Sequence, residues 1–496
     1  MAMTTKLVRD TVHGYIKIPS SYFVDFIDKA IFQRLRNIEQ TSIRVLYPSA
    51  HHDRFIHSLG TFHLAQTVFL SLKEREQFGT DIVLNDESLQ HSFQIAALLH
   101  DYAHSPFSHI GEEFTKGLHK NSNETELLEL ASDSDFESDF KNSINTPAAH
   151  EVASALIALR SFKDTISSGY GGNPLLVARM ITGCKFRNPN NRQQVENCLI
   201  ELLNGPTIDV DKLDYILRDT WASGVKNASV DIGRLISALV FKKDQDDSLC
   251  VALSKRALSV IQNMVQARDF LYQWIVCHHK VVYDKHLLES AINDLGEALL
   301  KEVGSGTADD ALRPLFSVES LIEPREIGKN FTTYLPSDGD IRFLLKHFCP
   351  DSNAAKQLLE RRHSHPPAWK TFSEFTHHFR KELEPPGEEG KWKRNVETFL
   401  TRTKKKVEEE DWGTFCRVAP RLSMPKLGDM RIMISEDTVL CTYDDIFGRS
   451  DPPVCPYCYI FLREDIDTKD AIHELKDIAR ETAQKLLPQS PAPDLK

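Results

Sequence analysis

Ala97-Leu-Leu-His-Asp101 decides the fold, because a histidine and an aspartate directly follow an apolar stripe with helical spacing. Leu89, Phe93 and Ala96 recur at the i, i+4, i+7 positions of a helix, and His100 continues their face. The pattern predicts a helix whose buried face ends in this histidine. A histidine and an aspartate at neighbouring helix positions point about 100° apart, so both can contact one ion.

Two other stretches carry candidate partners for this pair. Arg54-Phe-Ile-His-Ser-Leu-Gly60 contains His57, and Ile208-Asp-Val-Asp-Lys-Leu-Asp-Tyr215 contains Asp211. Both stretches lie on segments with a helical apolar stripe. Asp211 lies in an apolar context in which an unpaired carboxylate would be costly, and a cation would explain its position.

The four side chains together predict a site for one divalent metal ion: His57, His100, Asp101 and Asp211. A mixed nitrogen and oxygen ligand set suits zinc, iron, manganese, nickel or cobalt alike. Such a site leaves coordination positions open for water and for a phosphate oxygen, as phosphate-ester hydrolysis requires. A single buried histidine is more often a core residue, so the prediction depends on all four converging.

Composition narrows the class of protein. The chain has 496 residues, 41% hydrophobic and 26% charged, which is typical of a large globular protein. No apolar run approaches the roughly 20 residues of a membrane span, and the first residues lack the apolar segment of a secretory signal. Nine scattered cysteines favour a reducing, cytoplasmic compartment. The net charge of −11 disfavours non-specific nucleic-acid binding.

We therefore predict a mainly α fold with three regions. Residues 1–290 form a helical core, with Asn85 as N-cap of the helix that ends in His100 and an acidic insertion at about 119–147. Residues 291–430 form a helical accessory region. Residues 431–496 carry short strand patterns and a closing helix, and they predict a small α+β appendage. Cys455-Pro-Tyr-Cys458 has no partner motif, so we interpret its cysteines as structural thiols.

The motifs around the four ligands resemble those of the HD-domain hydrolases. The resemblance is closest to their deoxynucleoside triphosphate triphosphohydrolase branch, which includes dGTPase-type enzymes and a dNTPase that joins an HD domain to a SAM domain. The motifs that carry it are Asp10-Thr-Val-His-Gly14, Phe32-Gln-Arg-Leu-Arg-Asn-Ile-Glu-Gln40, Pro48 to Gly60, Leu99 to His109, His150-Glu151 and Asp209 to Asp219. They run through roughly residues 7–290. We recognise no SAM domain, and the chain beyond residue 290 matches loosely.

The resemblance implies an HD helical core and a set of roles. The metal ligands fall on the four residues named above. The catalytic histidines fall on His109 and His150, and the carboxylate that orients the first falls on Glu112, where relatives often carry Asp. By this analogy His109 protonates the leaving 5′-oxygen, and Mg²⁺ accompanies the triphosphate.

The resemblance also implies substrate contacts. Arg54, His104, Lys212 and Arg268 match positions that contact a triphosphate, for which several converging cations are needed. The positions that match sugar contacts are Gln40, Tyr215 and Asp219. Thr41 stands where deoxy-selective relatives have a bulkier apolar residue, so strict 2′-deoxy selectivity does not follow.

Regulation is a weaker implication. Some relatives form tetramers or hexamers that nucleotides activate between subunits, and the purine-recognising positions fall on Asp28, Gln33 and Arg36. A solvated amphipathic helix face explains these three equally well. We expect a homo-oligomer (dimer, tetramer or hexamer). Some relatives act in phage defence, which the sequence cannot assign.

Three functions remain open at this point. The first is metal-dependent hydrolysis of dNTPs to deoxynucleoside and tripolyphosphate. The second is another HD activity, either a nucleotide phosphatase or a phosphodiesterase. The third is a non-catalytic protein that senses nucleotides or binds nucleic acid. The complete ligand set and His109 argue against the third.

Overall fold

The structure is a computed structural model that describes residues 4–74, 86–143, 146–225, 230–362, 365–384, 392–418, 429–434, 440–448 and 457–485. Within these ranges the chain is mostly helical, which confirms the predicted mainly α class. The α-helices described are α1 (Ser20–Tyr22), α2 (Ala30–Arg34), α3 (Arg54–Glu74), α4 (Glu87–Leu99), α5 (His109–Ala131), α6 (Ser134–Lys141), α7 (Ala149–Asp164), α8 (Pro174–Thr182), α9 (Asn191–Leu203), α10 (Val210–Ala222), α11 (Ile232–Ala238), α12 (Leu258–Phe270), α13 (His279–Val303), α14 (Ala308–Phe316), α15 (Asp338–Phe348), α16 (Asn353–Glu360), α17 (Phe372–Leu383), α18 (Val396–Glu409), α19 (Tyr443–Phe447) and α20 (Thr468–Lys485).

Helices α3, α4, α5, α7 and α10 bring the predicted ligands and histidines together. Helix α3 packs against α4 and α10, while α7 packs against α5 and α8, and α8 in turn contacts α4. The apolar stripe of α3 is fully buried at Leu59, Phe62 and Phe69. Because burial of this stripe fixes the rotation of α3 about its axis, His57 on its first turn faces the end of α4 and the start of α10.

Helix α4 follows the predicted pattern. Leu89, Phe93 and Ala96 are buried, and the helix ends as the chain enters His100. The predicted N-cap Asn85 lies outside the described residues. The side chain of Asp86 caps the helix instead and accepts a hydrogen bond from the backbone of the second helical residue.

The strands form small sheets at the edges of the helical core. The described strands are β1 (Thr5–Asp10), β2 (Gly14–Pro19), β3 (Leu239–Lys243), β4 (Leu249–Ser254), β5 (Arg325–Ile327), β6 (Phe331–Thr333), β7 (Gly413–Arg417), β8 (Arg431–Met433), β9 (Cys441–Thr442) and β10 (Cys458–Leu462). The pairs β1–β2, β5–β6 and β7–β10 are antiparallel, and a four-stranded sheet has the order β3-β4-β8-β9.

The predicted carboxy-terminal strands pair with strands from earlier in the chain. Strand β8 lies parallel to β4, with Leu253 opposite Ile432. Strand β10 is antiparallel to β7, and helix α20 packs against α17 and α18. The α+β region is therefore anchored on both the core and the accessory helices. One cysteine of the Cys455/Cys458 pair, Cys455, lies outside the described residues.

The acidic stretch at about 119–147 is largely helical. It forms the second half of α5 and all of α6, and both Leu127 and Phe136 are fully buried. Burial of these apolar side chains overrides the low helix propensity of the Ser- and Asn-rich sequence.

Two predictions made from composition, on membrane spans and on the state of the cysteines, can be compared with the described residues. None of the described helices combines the length and the apolar character that crossing a membrane requires. All of the described cysteines are free thiols, and most of them are buried.

Candidate metal centre and histidine cluster

Three helices bring the four predicted metal ligands together. Nε2 of His57, on the first turn of α3, lies 2.9 Å from Oδ1 of Asp211 and 3.6 Å from Oδ2 of Asp101. Nε2 of His100 lies 3.6 Å from the same Asp101 oxygen and 3.7 Å from the same Asp211 oxygen. The two imidazole nitrogens and two carboxylate oxygens thus face a common point.

The chemistry of this cluster fits a divalent metal ion. Nε2 of His57 and Nε2 of His100 are buried and make no hydrogen bond of normal geometry within the described part of the chain. Buried nitrogen lone pairs without partners are costly unless an ion or water binds them. Burial raises the pKa of the Asp101 carboxyl, but Arg54 and the neighbouring histidines hold it well below its usual range. The carboxylate is therefore available as an anionic ligand.

The other ring nitrogens of the two histidines are fixed by hydrogen bonds. Nδ1 of His57 lies 2.7 Å from Oδ2 of Asp214, and Nδ1 of His100 lies 2.8 Å from the carbonyl oxygen of Ala97. Both partners are acceptors, so each Nδ1 carries a proton, and a bound metal ion would take the lone pair of each Nε2. This is the tautomer that a metal-binding histidine requires.

A buried network around Asp214 supports His57. The guanidinium of Arg218 donates to both Asp214 oxygens at 2.8 and 2.9 Å, and to Oδ2 of Asp10 at 2.9 Å. Nε2 of His13 lies 2.6 Å from Oδ1 of Asp214. The network explains why the Asp10-Thr-Val-His-Gly14 motif belongs to the site although it precedes the ligands by more than forty positions.

No role for Asp214 was expected from the sequence. Two signals were available: its position three residues after Asp211 on one helix face, and Gly60 in the His57 motif. A Cβ atom at Gly60 would lie 1.9 Å from Oδ1 of Asp214. The glycine therefore provides the space that this carboxylate occupies between α3 and α10.

The second cluster is centred on Glu112. Its Oε2 lies 2.9 Å from Nδ1 of His109, and its Oε1 lies 2.8 Å from Nδ1 of His150. One carboxylate therefore orients both predicted catalytic histidines, and the Nε2 atom of each ring points away from it. The His109 side chain is 49% exposed, whereas those of His150 and Glu112 are 10% exposed.

The charge of His150 follows from this geometry. Burial lowers the pKa of its imidazole, but the Glu112 carboxylate outweighs burial and raises the pKa to about 9. The Glu112 pKa lies well below its usual range because, against the effect of burial, both histidines stabilise the carboxylate. His150 is therefore a buried imidazolium at neutral pH, held by an anion.

His104 lies against this imidazolium. Its ring stacks on His150 with centroids 4.3 Å apart and an interplanar angle of 20°. Burial, Arg54 and His150 all lower the pKa of His104, so its ring is neutral. Both of its ring nitrogens are buried and make no hydrogen bond to the described residues, and they are free to bind a polar group of a ligand.

Two of the predicted phosphate contacts, Arg54 and Lys212, are paired in this structure. Arg54 is buried and donates to Oδ2 of Asp101 at 2.6 Å and to Oγ of Ser108 at 2.9 Å. Nζ of Lys212 donates to the carbonyl of Gly205 at 2.7 Å and also contacts Asp209. Arg54 therefore holds a ligand carboxylate of the metal cluster in addition to any contact with an anion.

The predicted sugar contacts lie near the metal cluster, on α10 and on the loop before α3. Asp219 is buried and accepts a hydrogen bond at 2.7 Å from Nε2 of His52, for which no role was expected from the sequence. The carbonyl of Gln40 accepts a hydrogen bond from Arg54 at 3.3 Å. Tyr215 is partly buried beside Arg268, whose guanidinium lies 5.1 Å from the centre of the Tyr272 ring.

The three residues with a predicted regulatory role lie together on the surface. Nε of Arg36 donates to Oε1 of Gln33 at 2.9 Å, and its guanidinium lies 3.5 Å from the centre of the Phe55 ring. Asp28 is exposed. The arrangement is compatible with both interpretations, a nucleotide site and an ordinary solvated helix face.

Comparisons with known proteins agree with this geometry. Residues 54–193 match the model of the HD domain, so the chain contains an HD domain. The matched segment includes His57, His100, Asp101 and the Glu112 cluster. The predicted resemblance to HD-domain hydrolases of the dNTPase type is confirmed, at modest identity.

Three of the curated relatives match between about half and two thirds of the chain. An uncharacterised protein of Methanocaldococcus jannaschii is 26% identical over 337 residues, which cover 66% of this chain and 60% of the relative. A deoxynucleoside triphosphate triphosphohydrolase SAMHD1 homolog of Dictyostelium discoideum is 29% identical over 55% of this chain and 46% of its own. The SAMHD1 enzyme of Gallus gallus is 31% identical over 47% and 36%, respectively. The chain thus spans about a third to three-fifths of the length of these relatives.

Solved structures share the fold. A phosphohydrolase from Bacteroides thetaiotaomicron superposes with a TM-score of 0.59 at 23% identity, covering 93% of this chain and all of the other. A hypothetical protein from Aquifex aeolicus superposes with a TM-score of 0.55 at 20% identity, covering 97% of this chain. The similarity extends beyond the HD domain to the accessory and carboxy-terminal regions.

Proposed function

We propose that this protein hydrolyses deoxynucleoside triphosphates to deoxynucleoside and inorganic tripolyphosphate in a metal-dependent reaction. The observation that carries the proposal is the contact between the two clusters. Nε2 of His150 lies 3.7 Å from Oδ1 of Asp101, so a carboxylate of the candidate metal cluster and the His150 imidazolium lie side by side. A phosphate ester between them would meet an electrophilic ion on one side and a proton donor on the other.

The metal would be held by His57, His100, Asp101 and Asp211. When bound, it would supply an activated water and polarise the α-phosphate of the substrate. Zinc, iron, manganese, nickel and cobalt all suit these ligands. Arg54 holds the Asp101 carboxylate, and Asp214 holds the His57 ring, so the ligand geometry is set before a substrate arrives.

The histidine pair would manage the proton. His109 is the proposed general acid, because its half-exposed ring is accessible to a ligand and its Nδ1 is fixed by Glu112. Burial, Arg54 and the His150 imidazolium together lower the pKa of His109, against the effect of Glu112. Once protonated, His109 would therefore give up its proton readily, with Glu112 holding its ring. Proton donation from Nε2 of His109 would release the 5′-oxygen of the deoxynucleoside.

The triphosphate would be bound by side chains beside the metal and histidine clusters. Arg54, Lys212, Arg268 and the neutral His104 are the proposed contacts, with Mg²⁺ on the triphosphate as a second ion. Lys212 would leave Gly205 and Asp209 to reach a phosphate, an exchange of one anionic partner for another. Gln40, Tyr215 and Asp219 would contact the sugar.

We extend the proposal to the oligomeric state, the cellular location and the biological role of the protein. The named SAMHD1 relatives support a nucleotide substrate. We propose a homo-oligomer in the cytoplasm that a nucleotide would activate at Asp28, Gln33 and Arg36. A contribution to phage defence through dNTP depletion would follow from this activity, but no residue of the site distinguishes it from dNTP homeostasis.

The main alternative is another HD phosphohydrolase activity, on a nucleoside monophosphate or a phosphodiester. It would use the same metal ligands but would not need Lys212 and Arg268. A non-catalytic nucleotide-sensing or nucleic-acid-binding protein is a further alternative. A non-catalytic protein would have no chemical role for the two histidines that Glu112 orients.

Product analysis tests the proposal. The four dNTPs are offered singly and mixed, with Mg²⁺ or Mn²⁺, and the products are separated by chromatography. We expect deoxynucleoside and tripolyphosphate, both absent with the His100→Ala/Asp101→Ala variant. Activity only in mixtures would indicate nucleotide activation. Monophosphate or diphosphate products would replace the proposal with the alternative HD chemistry, and turnover by the double variant would exclude the metal cluster as the active centre.

A further inference from the structure

The loop that leads from the metal cluster to His109 is held by a residue of the accessory region. Oδ1 of Asp338 accepts a hydrogen bond from the backbone N–H of Phe107 at 2.6 Å. Its Oδ2 accepts a hydrogen bond from the backbone N–H of Glu39 at 2.9 Å. Asp338 is 5% exposed and begins helix α15, more than two hundred positions after the loop it holds.

A second contact from the same segment fixes the other end of the loop. The buried guanidinium of Arg34 donates from Nε to the carbonyl of Pro336 at 2.6 Å and from Nη2 to the carbonyl of His104 at 2.7 Å. The segment Pro336–Asp338 is therefore tied to both ends of the loop His104–Phe107. It reaches the loop through one side chain of its own and one arginine of α2.

The loop needs such support because its backbone is strained. Phe107 and Ser108 have φ angles of 58° and 53°, in the left-handed region that residues with a Cβ atom rarely adopt. These two residues directly precede His109 at the start of α5. Strained backbone persists only where surrounding contacts over-determine it, and the Asp338 carboxylate supplies one such contact at Phe107.

The same carboxylate also holds the backbone beside Gln40. Glu39 precedes Gln40, whose carbonyl accepts a hydrogen bond from Arg54. Oγ of Ser108 links the two segments, because it accepts a hydrogen bond from Arg54 and donates to the carbonyl of Glu39. Burial raises the pKa of Asp338 to about 6, because removal of the carboxylate from water is energetically unfavourable.

We propose that Asp338 is a positioning residue for the histidine pair. Its carboxylate joins the backbone of Phe107 to that of Glu39 and so fixes the distance between His109 and Gln40. This assigns residues 336–338 of the accessory region a part in the active site. The inference rests on the proposed function for its kinetic consequence, but the backbone contact itself can be measured without turnover.

The test compares Asp338→Asn with Asp340→Asn. Both variants make the same chemical change on the first turn of α15. Asp340 is exposed and accepts hydrogen bonds only from the backbone and hydroxyl of Ser337, among the contacts described. An asparagine at 338 keeps one acceptor oxygen and turns an amide N–H₂ toward the other backbone N–H. Should Asp338→Asn fail to fold, Asp338→Ser replaces it in every comparison.

The first readout is hydrogen exchange of peptides that cover residues 104–110 and 36–40. We expect exchange about tenfold faster in Asp338→Asn than in the wild type, and unchanged exchange in Asp340→Asn. Equal exchange in the two variants would overturn the positioning role. This readout decides the matter even if the wild type hydrolyses no dNTP, an outcome that would remove the proposed function alone.

The second readout is kinetic. We expect kcat for dNTP hydrolysis to fall at least about tenfold in Asp338→Asn with KM changed by less than about threefold, and Asp340→Asn to match the wild type. In a His109→Ala background, Asp338→Asn should cause no further loss, because it acts through that histidine. An equal additional loss in that background, or a change confined to KM, would overturn the inference.

Discussion

Nδ1 of His57 lies 2.7 Å from Oδ2 of Asp214, on the side of the ring opposite the metal-facing Nε2. Asp214 is itself fully buried and is held by Arg218 from the same helix. The pair links helices α3 and α10 and sets the tautomer of the ligand histidine. Metal affinity should therefore depend on a residue that does not touch the metal.

Replacement of Asp214 by asparagine tests this dependence. We expect metal affinity to fall about 10- to 100-fold, because the His57 ring loses its anionic partner and its fixed orientation. Calorimetric titration of the metal-free protein with Mn²⁺ or Zn²⁺ measures the effect. Asp139→Asn is the matched control, since it also removes a buried carboxylate paired with an arginine, Arg179 at 2.9 Å. Equal affinity in Asp214→Asn and the wild type would contradict the assignment.

Gly60→Ala should disturb the same carboxylate from the opposite helix. The added Cβ would lie 1.9 Å from Oδ1 of Asp214, so the α3–α10 contact must open. We expect a loss of about 1–3 kcal/mol in the free energy of unfolding, together with weaker metal binding.

Gly117→Ala serves as its control. This exposed glycine lies in helix α5, and a Cβ added there would have no described atom within 4 Å. Alanine at this position should therefore stabilise the helix by about 0.5–1 kcal/mol. Chemical denaturation of the metal-free proteins compares the two. A Gly60→Ala protein as stable as Gly117→Ala would show that α3 and α10 are not packed as described.

Much of the site follows from the sequence, and the residues explain why. The i, i+4 spacing before His100 fixes the buried face of α4, and the adjacent Asp101 then has one direction to point. Asp214 was missed because two of its partners, His13 and His57, lie 201 and 157 positions away and only tertiary packing brings them together. Local periodicity carries no information about such contacts.

The accessory and carboxy-terminal regions show the same limit. No local pattern indicates that Asp338 reaches Phe107, or that β8 pairs with β4 instead of a strand of its own region. Those contacts are set by how whole elements pack, because backbone hydrogen bonds do not depend on side-chain identity. The prediction of Asn85 as N-cap was wrong by one position, because Asp86 caps α4. An error of one or two residues is usual at helix ends.

The pKa of His150 gives a test that needs no turnover. Burial alone would lower it, but Glu112 raises it to about 9. In Glu112→Gln the pKa should fall, because the opposing carboxylate charge is gone. In the wild type, protonation of His150 contributes fully to the free energy of unfolding below pH 6.5. This contribution is lost as pH rises through about 9. NMR titration of the metal-free wild type and of Glu112→Gln measures the pKa of His150 in each protein. A wild-type His150 pKa at or below 6.5 would contradict the pairing of His150 with Glu112.

The family resemblance implies that Tyr215 lies against the 2′ side of the sugar, so it should govern discrimination at that position. Tyr215→Ala removes a ring from the helix face that also carries Asp211 and Asp219, and it should raise the rate with ribonucleotides relative to deoxynucleotides about tenfold. Trp221→Ala is the control, because that side chain is an aromatic on the same helix and is 55% exposed. The ratio of kcat/KM for the two sugars is the measurement. A ratio unchanged in Tyr215→Ala would remove this residue from the sugar site.

The central claim is that water, activated at the His57, His100, Asp101 and Asp211 cluster, attacks the α-phosphorus of a dNTP. Hydrolysis in ¹⁸O-labelled water, followed by mass spectrometry of both products, tests it most directly. The account predicts one ¹⁸O atom in tripolyphosphate and none in the deoxynucleoside. Label in the deoxynucleoside would mean attack at the 5′-carbon, and label in a released mono- or diphosphate would mean cleavage at another bond; either result would contradict the account.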